Sequence, residues 1–158
     1  MWSRTPASPF YWWGRTLLPE DPTAQPAGKF RKGITASLER MVGERDILAF
    51  ADISGDHNEL HIDEEFAAKS VFKERIAHGM LTASYVSAVL GMKLPGPGAI
   101  LLGLEHVKFL APVKIGDIVV ATVTLAELLP KGRARFDCAC HVGKVRILEG
   151  SAILKLPK

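Results

Sequence analysis

Hydrophobic residues change their spacing partway along the chain. From Met80 to Leu90 the sequence contains no charged residue, and small residues are interspersed among large apolar ones. Such a stretch predicts one long helix, spanning about residues 79–92, that is buried on every side. The Pro- and Gly-rich turn at residues 95–98 ends it.

Beyond this helix the pattern changes to that of strands. Four segments rich in Val, Ile, Leu and Thr are separated by Gly or Pro: Ala99–Phe109, Asp117–Leu128, Arg133–Val142 and Val145–Leu156. Before the helix, residues 35–42 resemble a strand, residues 44–52 a short helix, and a capped helix is predicted to start near Asp63. The pattern predicts an α+β domain over residues 33–158. Residues 1–32 are rich in Pro and Trp and show no period, so they are predicted to form an irregular arm.

Composition excludes several classes of protein. At 158 residues and 17.2 kDa the chain fits one domain with a real core. The net charge of +3 (20 − 17) is too small to demand a nucleic-acid partner. No run of eighteen apolar residues exists, so no membrane span is predicted.

Two cysteines bear on the compartment. Cys138 and Cys140 lie two apart in a predicted strand, on one face, and form neither a disulfide framework nor a zinc set. Buried thiols in a reducing compartment follow, and a cytoplasmic location is predicted. The span 1–19 lacks acidic residues and carries Arg4 and Arg15, which leaves a mitochondrial transit peptide as an alternative.

The candidate chemistry lies in two polar stretches. Asp56, Asn58 and His61 fall within a turn-forming segment, which could also be no more than a capped turn before a helix. A carboxylate and an imidazole five residues apart across a turn could hold one water between them as an acid–base pair. In the second stretch, Gly79 follows His78 at the first turn of the apolar helix, where its N–H could stabilise an oxyanion.

Together these stretches resemble the MaoC-like family of (R)-specific enoyl-CoA hydratases and 3-hydroxyacyl thioester dehydratases. The family pattern is an aromatic residue, then Ser-Gly-Asp-x-Asn-Pro-aliphatic-His and a small residue six places beyond. The matching positions are Phe50, Ser54, Gly55, Asp56, Asn58, Leu60, His61 and Ala67. Glu59 stands where the family usually has Pro, and we expect its side chain to point outward. The resemblance extends from about Ile34 to Pro157.

The resemblance implies a hot-dog fold, in which an antiparallel sheet curls round one central helix, and a homodimer. It implies that Asp56 and His61 activate water and that the Gly79 amide polarises the thioester carbonyl. Three residues would support or adjoin this site: Asn58, Ser87 and His78, the last of them as a structural histidine. The implied substrate is an acyl-CoA or acyl-carrier-protein thioester, with no metal and no organic cofactor.

Three other functions are weighed against this one. His57 and His61 are spaced for a metal site, but Glu59 is one place away from its position in the zincin motif. A hot-dog thioesterase would often carry a catalytic carboxylate on or beside the central helix, and residues 80–90 offer none. A non-catalytic acyl-thioester binder would not need Asp56, Asn58 and His61 together.

Overall fold

The computed structural model describes residues 30–158. The predicted arm at residues 1–32 lies almost entirely outside these residues and stays a prediction. The elements follow the order β1 (Thr35–Met41), α1 (Glu44–Ser54), α2 (Glu59–Ile62), α3 (Glu64–Lys69), α4 (Gly79–Met92), β2 (Ile100–Phe109), β3 (Ile118–Leu129), β4 (Arg133–Val142) and β5 (Val145–Lys155). The predicted α+β order, with one strand, a long helix and then four strands, is confirmed.

The five strands form one antiparallel sheet in the order β1-β3-β4-β5-β2. Strand β3 shows why the sheet has one dry face, because its residues alternate between full burial and partial exposure. The fully buried positions are Val119, Ala121, Val123 and Leu125, and half-buried Thr122 and Thr124 lie between them. β1 and β2 are the edge strands, and β2 carries the exposed hydrophobic residues described below.

Helix α4 lies against the sheet and contacts β1, β2, β3 and β4. Leu81, Val89 and Leu90 are among its buried residues, but Met80 is 54% exposed, and Ser84 and Ser87 are exposed too. The prediction of burial on every side is therefore wrong for one protomer, because a single sheet covers one side of a helix and leaves the other open. No helix within residues 30–158 is long and apolar enough to cross a bilayer.

The two cysteines lie on β4 as free, buried thiols, as predicted. Both belong to the core that α4 and the sheet enclose. Burial raises the pKa of Cys138 and of Cys140 to about 12 each. Both thiols are therefore protonated at neutral pH and behave as small apolar side chains.

One helix was not predicted. The sequence between Gly55 and Asp63 indicated a turn, and the structure places the four-residue helix α2 there. The predicted cap of the following helix is confirmed, because Asp63 Oδ1 accepts the Phe66 N–H at 2.8 Å. That helix, α3, spans Glu64–Lys69.

Candidate active site

The turn that carries Asp56 is built by local hydrogen bonds. α1 ends at Ser54, and Gly55 adopts a left-handed conformation (φ 78°) with its N–H bonded to the Ala51 carbonyl. Asp56 Oδ1 accepts the Asn58 N–H at 3.2 Å. This bond fixes the carboxylate at the turn while the side chain stays exposed to solvent.

Asn58 then starts the short helix that carries His61. Its side-chain oxygen accepts the Leu60 N–H at 3.0 Å, so Asn58 is the N-cap of α2. A four-residue helix has little stability of its own. The cap therefore sets the direction in which His61 leaves the backbone, and the supporting role expected of Asn58 has a physical basis.

The His61 ring is oriented by one main-chain contact. Nδ1 lies 2.8 Å from the Ile76 carbonyl oxygen, and because a carbonyl only accepts, Nδ1 carries the proton. In the neutral ring Nε2 is then the basic nitrogen. Burial lowers the pKa of His61 and outweighs the Ile76 bond and Asp56, which raise it; His78 lowers it further. The ring is therefore neutral near pH 7 and able to accept a proton.

His78 contacts both Asp56 and His61. It is 2% exposed, and its Nε2 donates to the Asp56 main-chain carbonyl at 2.9 Å. Its ring centroid lies 3.8 Å from that of His61 and 5.0 Å from that of Phe50. His78 thus joins the Asp56 turn to the start of α4, as expected of a structural histidine beside the site.

Asp56, His61 and His78 form one compact cluster: a carboxylate oxygen of Asp56 and one ring nitrogen of each histidine all lie within 4.8 Å of one another. These residue types can also ligate a metal, and the bonds of His61 Nδ1 and His78 Nε2 to main-chain carbonyls leave His61 Nε2 and His78 Nδ1 as the possible ligand atoms. The alternative pair of His57 with His61 is not favoured, because exposed His57 bonds instead to Asp52 at 3.2 Å.

A cavity of about 340 Å³ lies beside His61 and Gly79. Apart from these two residues its lining is mostly apolar: Phe72, Ile76, Ala77, Thr82, Phe109, Leu110, Ala111, Pro112 and Val113. Gly79 is the first residue of α4, and first-turn N–H groups have no partner within their helix. A carbonyl in this cavity can therefore meet an N–H at the positive end of α4.

Gly79 also has a steric reason to be glycine. A Cβ at this position would lie 2.9 Å from two ring carbons of Phe109. The ring and the helix start touch closely, so any side chain at this position would require the Phe109 ring to move.

Two further sequence-based expectations concern Glu59 and Ser87. Glu59 is exposed, as expected, and does not line the cavity. Ser87 lies eight residues beyond Gly79, about 12 Å along the helix axis, and is exposed. The structure brings Asp56, Asn58, His61, His78 and Gly79 together but leaves Ser87 outside this cluster.

Sequence reasoning missed the residues that act through their main chain or through remote packing. The Ile76 carbonyl orients His61, yet a carbonyl is common to every residue and gives no signal in a sequence. Phe109 and Phe72 line the cavity from the end of β2 and from the loop after α3. Only the tertiary fold shows that these two rings lie near Gly79.

Comparison with known proteins agrees with this architecture. The chain matches the MaoC like domain over residues 23–137. It is 48% identical to the 3-hydroxybutyryl-CoA dehydratase of Methylorubrum extorquens over 127 residues, 80% of each chain. It is 47% identical to the (R)-specific enoyl-CoA hydratase of Rhodospirillum rubrum, covering 80% of this chain and 88% of that protein. The solved (R)-hydratase of A. caviae, involved in PHA biosynthesis, superposes with a TM-score of 0.79 at 38% identity, covering 83% of this chain and all of that one.

The chain therefore belongs to the MaoC-like domain family, and its fold is the hot-dog fold of the MaoC-like hydratases.

Proposed function

We propose that the protein is an (R)-specific enoyl-CoA hydratase, equivalently a 3-hydroxyacyl thioester dehydratase. The observation that carries this proposal is that His61 and Gly79, the first residue of α4, line one largely apolar cavity, with an Asp56 oxygen within 4.8 Å of the His61 ring nitrogen. Relatives that carry these two activities in their names share almost half of their aligned residues with the chain.

The reaction adds water across the double bond of a trans-2-enoyl thioester. Water held between Asp56 and His61 attacks C3 with its oxygen, and the proton it loses passes to His61 Nε2. The same pair returns a proton to C2, so the atoms of one water molecule are added in total. Neutral His61 suits the first step because a base must be unprotonated before it accepts a proton.

During the addition, negative charge develops on the thioester carbonyl oxygen. The Gly79 N–H is proposed to bond to this oxygen at the N-terminus of α4. A donor already in place at a helix start stabilises such a charge without reorganisation. Loss of one donor of this kind typically costs about 10²- to 10³-fold in kcat.

The proposed substrates are short acyl thioesters of coenzyme A, like the substrate in the name of the Methylorubrum extorquens relative, or the corresponding thioesters of acyl carrier protein. The largely apolar lining of the cavity suits an acyl chain. An enzyme accelerates both directions alike, so hydration and dehydration are the same activity. Asp56 and His61 would act on one face of the double bond, giving the (R)-3-hydroxyacyl product.

A homodimer is proposed as the working state. Edge strand β2 and the loop after it expose Ile100, Leu101, Leu102, Leu104, Phe109 and Leu110, each at least 41% accessible. Exposed apolar edge strands invite pairing with another chain. Light scattering should give about twice 17.2 kDa, and a 17.2 kDa species at micromolar concentration contradicts this proposal.

The function is tested by hydration of crotonyl-CoA, followed by loss of enoyl absorbance. An (R)-specific 3-hydroxyacyl-CoA dehydrogenase should oxidise the product, and an (S)-specific one should not. Consumption by the (S)-specific enzyme alone, or no hydration by folded protein, contradicts the assignment. Release of free thiol from the substrate would favour a thioesterase instead.

A further inference from the structure

Arg75 forms a bridge between the two helices that flank the Asp56–His61 segment. Its Nη2 donates to Glu44 Oε1 on α1 at 2.8 Å, and its Nε donates to Glu64 Oε2 on α3 at 3.0 Å. The Arg75 side chain is only 14% exposed. A planar guanidinium can hold two carboxylates in a fixed geometry, which a lysine cannot do.

The chain next to Arg75 carries the hydrogen-bond acceptor of His61. Ile76 supplies the carbonyl that receives His61 Nδ1–H. Ile76 and Ala77 are bonded to the loop before β3: Ile76 forms a β-bridge with Lys114, and the Ala77 N–H donates to the Val113 carbonyl at 2.7 Å. Arg75, the residue before Ile76, links the same segment to α1 and α3.

The bridge also encloses the site in sequence. α1 ends two residues before Asp56, and α3 starts three residues after His61. One guanidinium therefore connects the helix before the pair, the helix after it and the segment on which the His61 ring rests.

We propose that Arg75 is a positioning residue: its two ion pairs hold the Ile76 carbonyl against His61 and so fix the tautomer and orientation of the imidazole. This inference rests on the proposed function of Asp56 and His61. Glu44 and Glu64 are 57% and 69% exposed, so their ion pairs with Arg75 add little to global stability. The bridge acts on the geometry of the site, where a misplacement of about 1 Å can cost about 10²-fold in rate.

The test compares Arg75→Gln with a matched variant. Arg135 on β4 also bridges two glutamates, Glu105 at 3.4 Å and Glu127 at 3.1 Å, but lies on the sheet and does not line the cavity. Arg75→Gln should lower kcat for crotonyl-CoA hydration by roughly 10- to 100-fold with KM changed less than about threefold. Arg135→Gln should leave both constants within about twofold.

Imidazole ¹⁵N spectra at pH 8 provide a readout independent of turnover. The five histidines are resolved by labelling, and the His61 signals are assigned by their loss in His61→Gln. In the parent, His61 should be protonated at Nδ1. In Arg75→Gln the Nε2-protonated form should gain population, because Nδ1–H loses its fixed acceptor.

A second variant guards against misfolding of the first. Glu44→Gln/Glu64→Gln should reproduce the kcat loss and the spectral change, and adding Arg75→Gln to it should cost less than about twofold more. An Arg75→Gln protein with parental kcat and parental His61 signals overturns the proposal. If the parent does not hydrate crotonyl-CoA, the proposed function fails, and the spectra still decide whether Arg75 positions His61.

Discussion

Replacing Gly79 by alanine tests the close contact at the start of α4. The new Cβ would lie 2.9 Å from two Phe109 ring carbons, whereas carbon atoms normally pack at about 3.5–4.0 Å. The ring must therefore retreat by roughly 0.6–1.1 Å. Phe109 is 49% exposed in one protomer but lies on the edge that the proposed dimer would cover, so the cost in stability should be about 1–3 kcal/mol, the usual range of overpacking.

Activity should fall as well as stability. The methyl group and the displaced ring both lie in the cavity beside the N–H proposed to hold the thioester oxygen. A shift of about 1 Å in the substrate can cost about 10²-fold, so kcat/KM for crotonyl-CoA should fall by roughly 10- to 100-fold. The assay is the loss of enoyl absorbance, with the melting temperature measured on the same preparations.

Gly91→Ala is the matched control in the same helix. A Cβ at Gly91 meets nothing within 4 Å. Alanine there should raise the free energy of unfolding by about 0.5–1 kcal/mol and leave kcat/KM within about twofold. Adding Phe109→Leu to Gly79→Ala should restore part of the activity by making room. Parental activity in Gly79→Ala, or an equal loss in Gly91→Ala, refutes the reasoning.

Three further predictions concern the acid–base pair and the thiols. Asp56→Asn and His61→Gln should each lower kcat at least ~100-fold, and the double variant should lower it little further. Glu59→Pro, on the same turn, should leave kcat within about tenfold of the parent. A His61→Gln enzyme with a near-parental rate contradicts the assignment of the site. The pKa of His61 is lowered, mainly by burial, so kcat/KM should decline only below pH 6.5, where the imidazole of the folded protein gains its proton. A loss of kcat/KM that already begins above pH 6.5 as the pH falls would show that another group is titrating. Cys138 and Cys140, with pKa values of about 12, should resist a thiol reagent at pH 8 until the protein is unfolded. Because each pKa is raised from 9.0, the contribution of the two thiols to stability is fully present below pH 9 and is lost as pH rises towards 12. Denaturant titrations at several pH values measure this loss.

The sequence predicted the elements whose patterns are local. The limits of α4 follow from an uncharged run bounded by His78-Gly79 and a Pro-Gly turn, and those of β4 from glycines on either side. Both were placed correctly to the residue. Helix α2 was missed because four residues give no periodicity; in the structure it is supported by the Asn58 cap and by the bond from His61 to the Ile76 carbonyl.

The part of the site whose residues lie near one another in the sequence could be predicted from it. Asp56, Asn58 and His61 lie close together in sequence, and their proximity in space follows from one turn. The contact of Gly79 with Phe109 joins residues thirty apart, and the Arg75 bridge joins α1, α3 and the loop between α3 and α4. Such contacts depend on how the helices pack, which no local pattern in the sequence records.

The central claim, that Asp56 and His61 act together on one water from one side of the substrate, is tested most directly by hydration in D₂O. Their donor atoms lie within 4.8 Å of each other, so hydroxyl and deuterium should reach C3 and C2 from the same face. Proton NMR of the (R)-3-hydroxybutyryl product should then show a single C2 deuterium in the syn arrangement. Deuterium on the opposite face, or scrambled between both, contradicts the account.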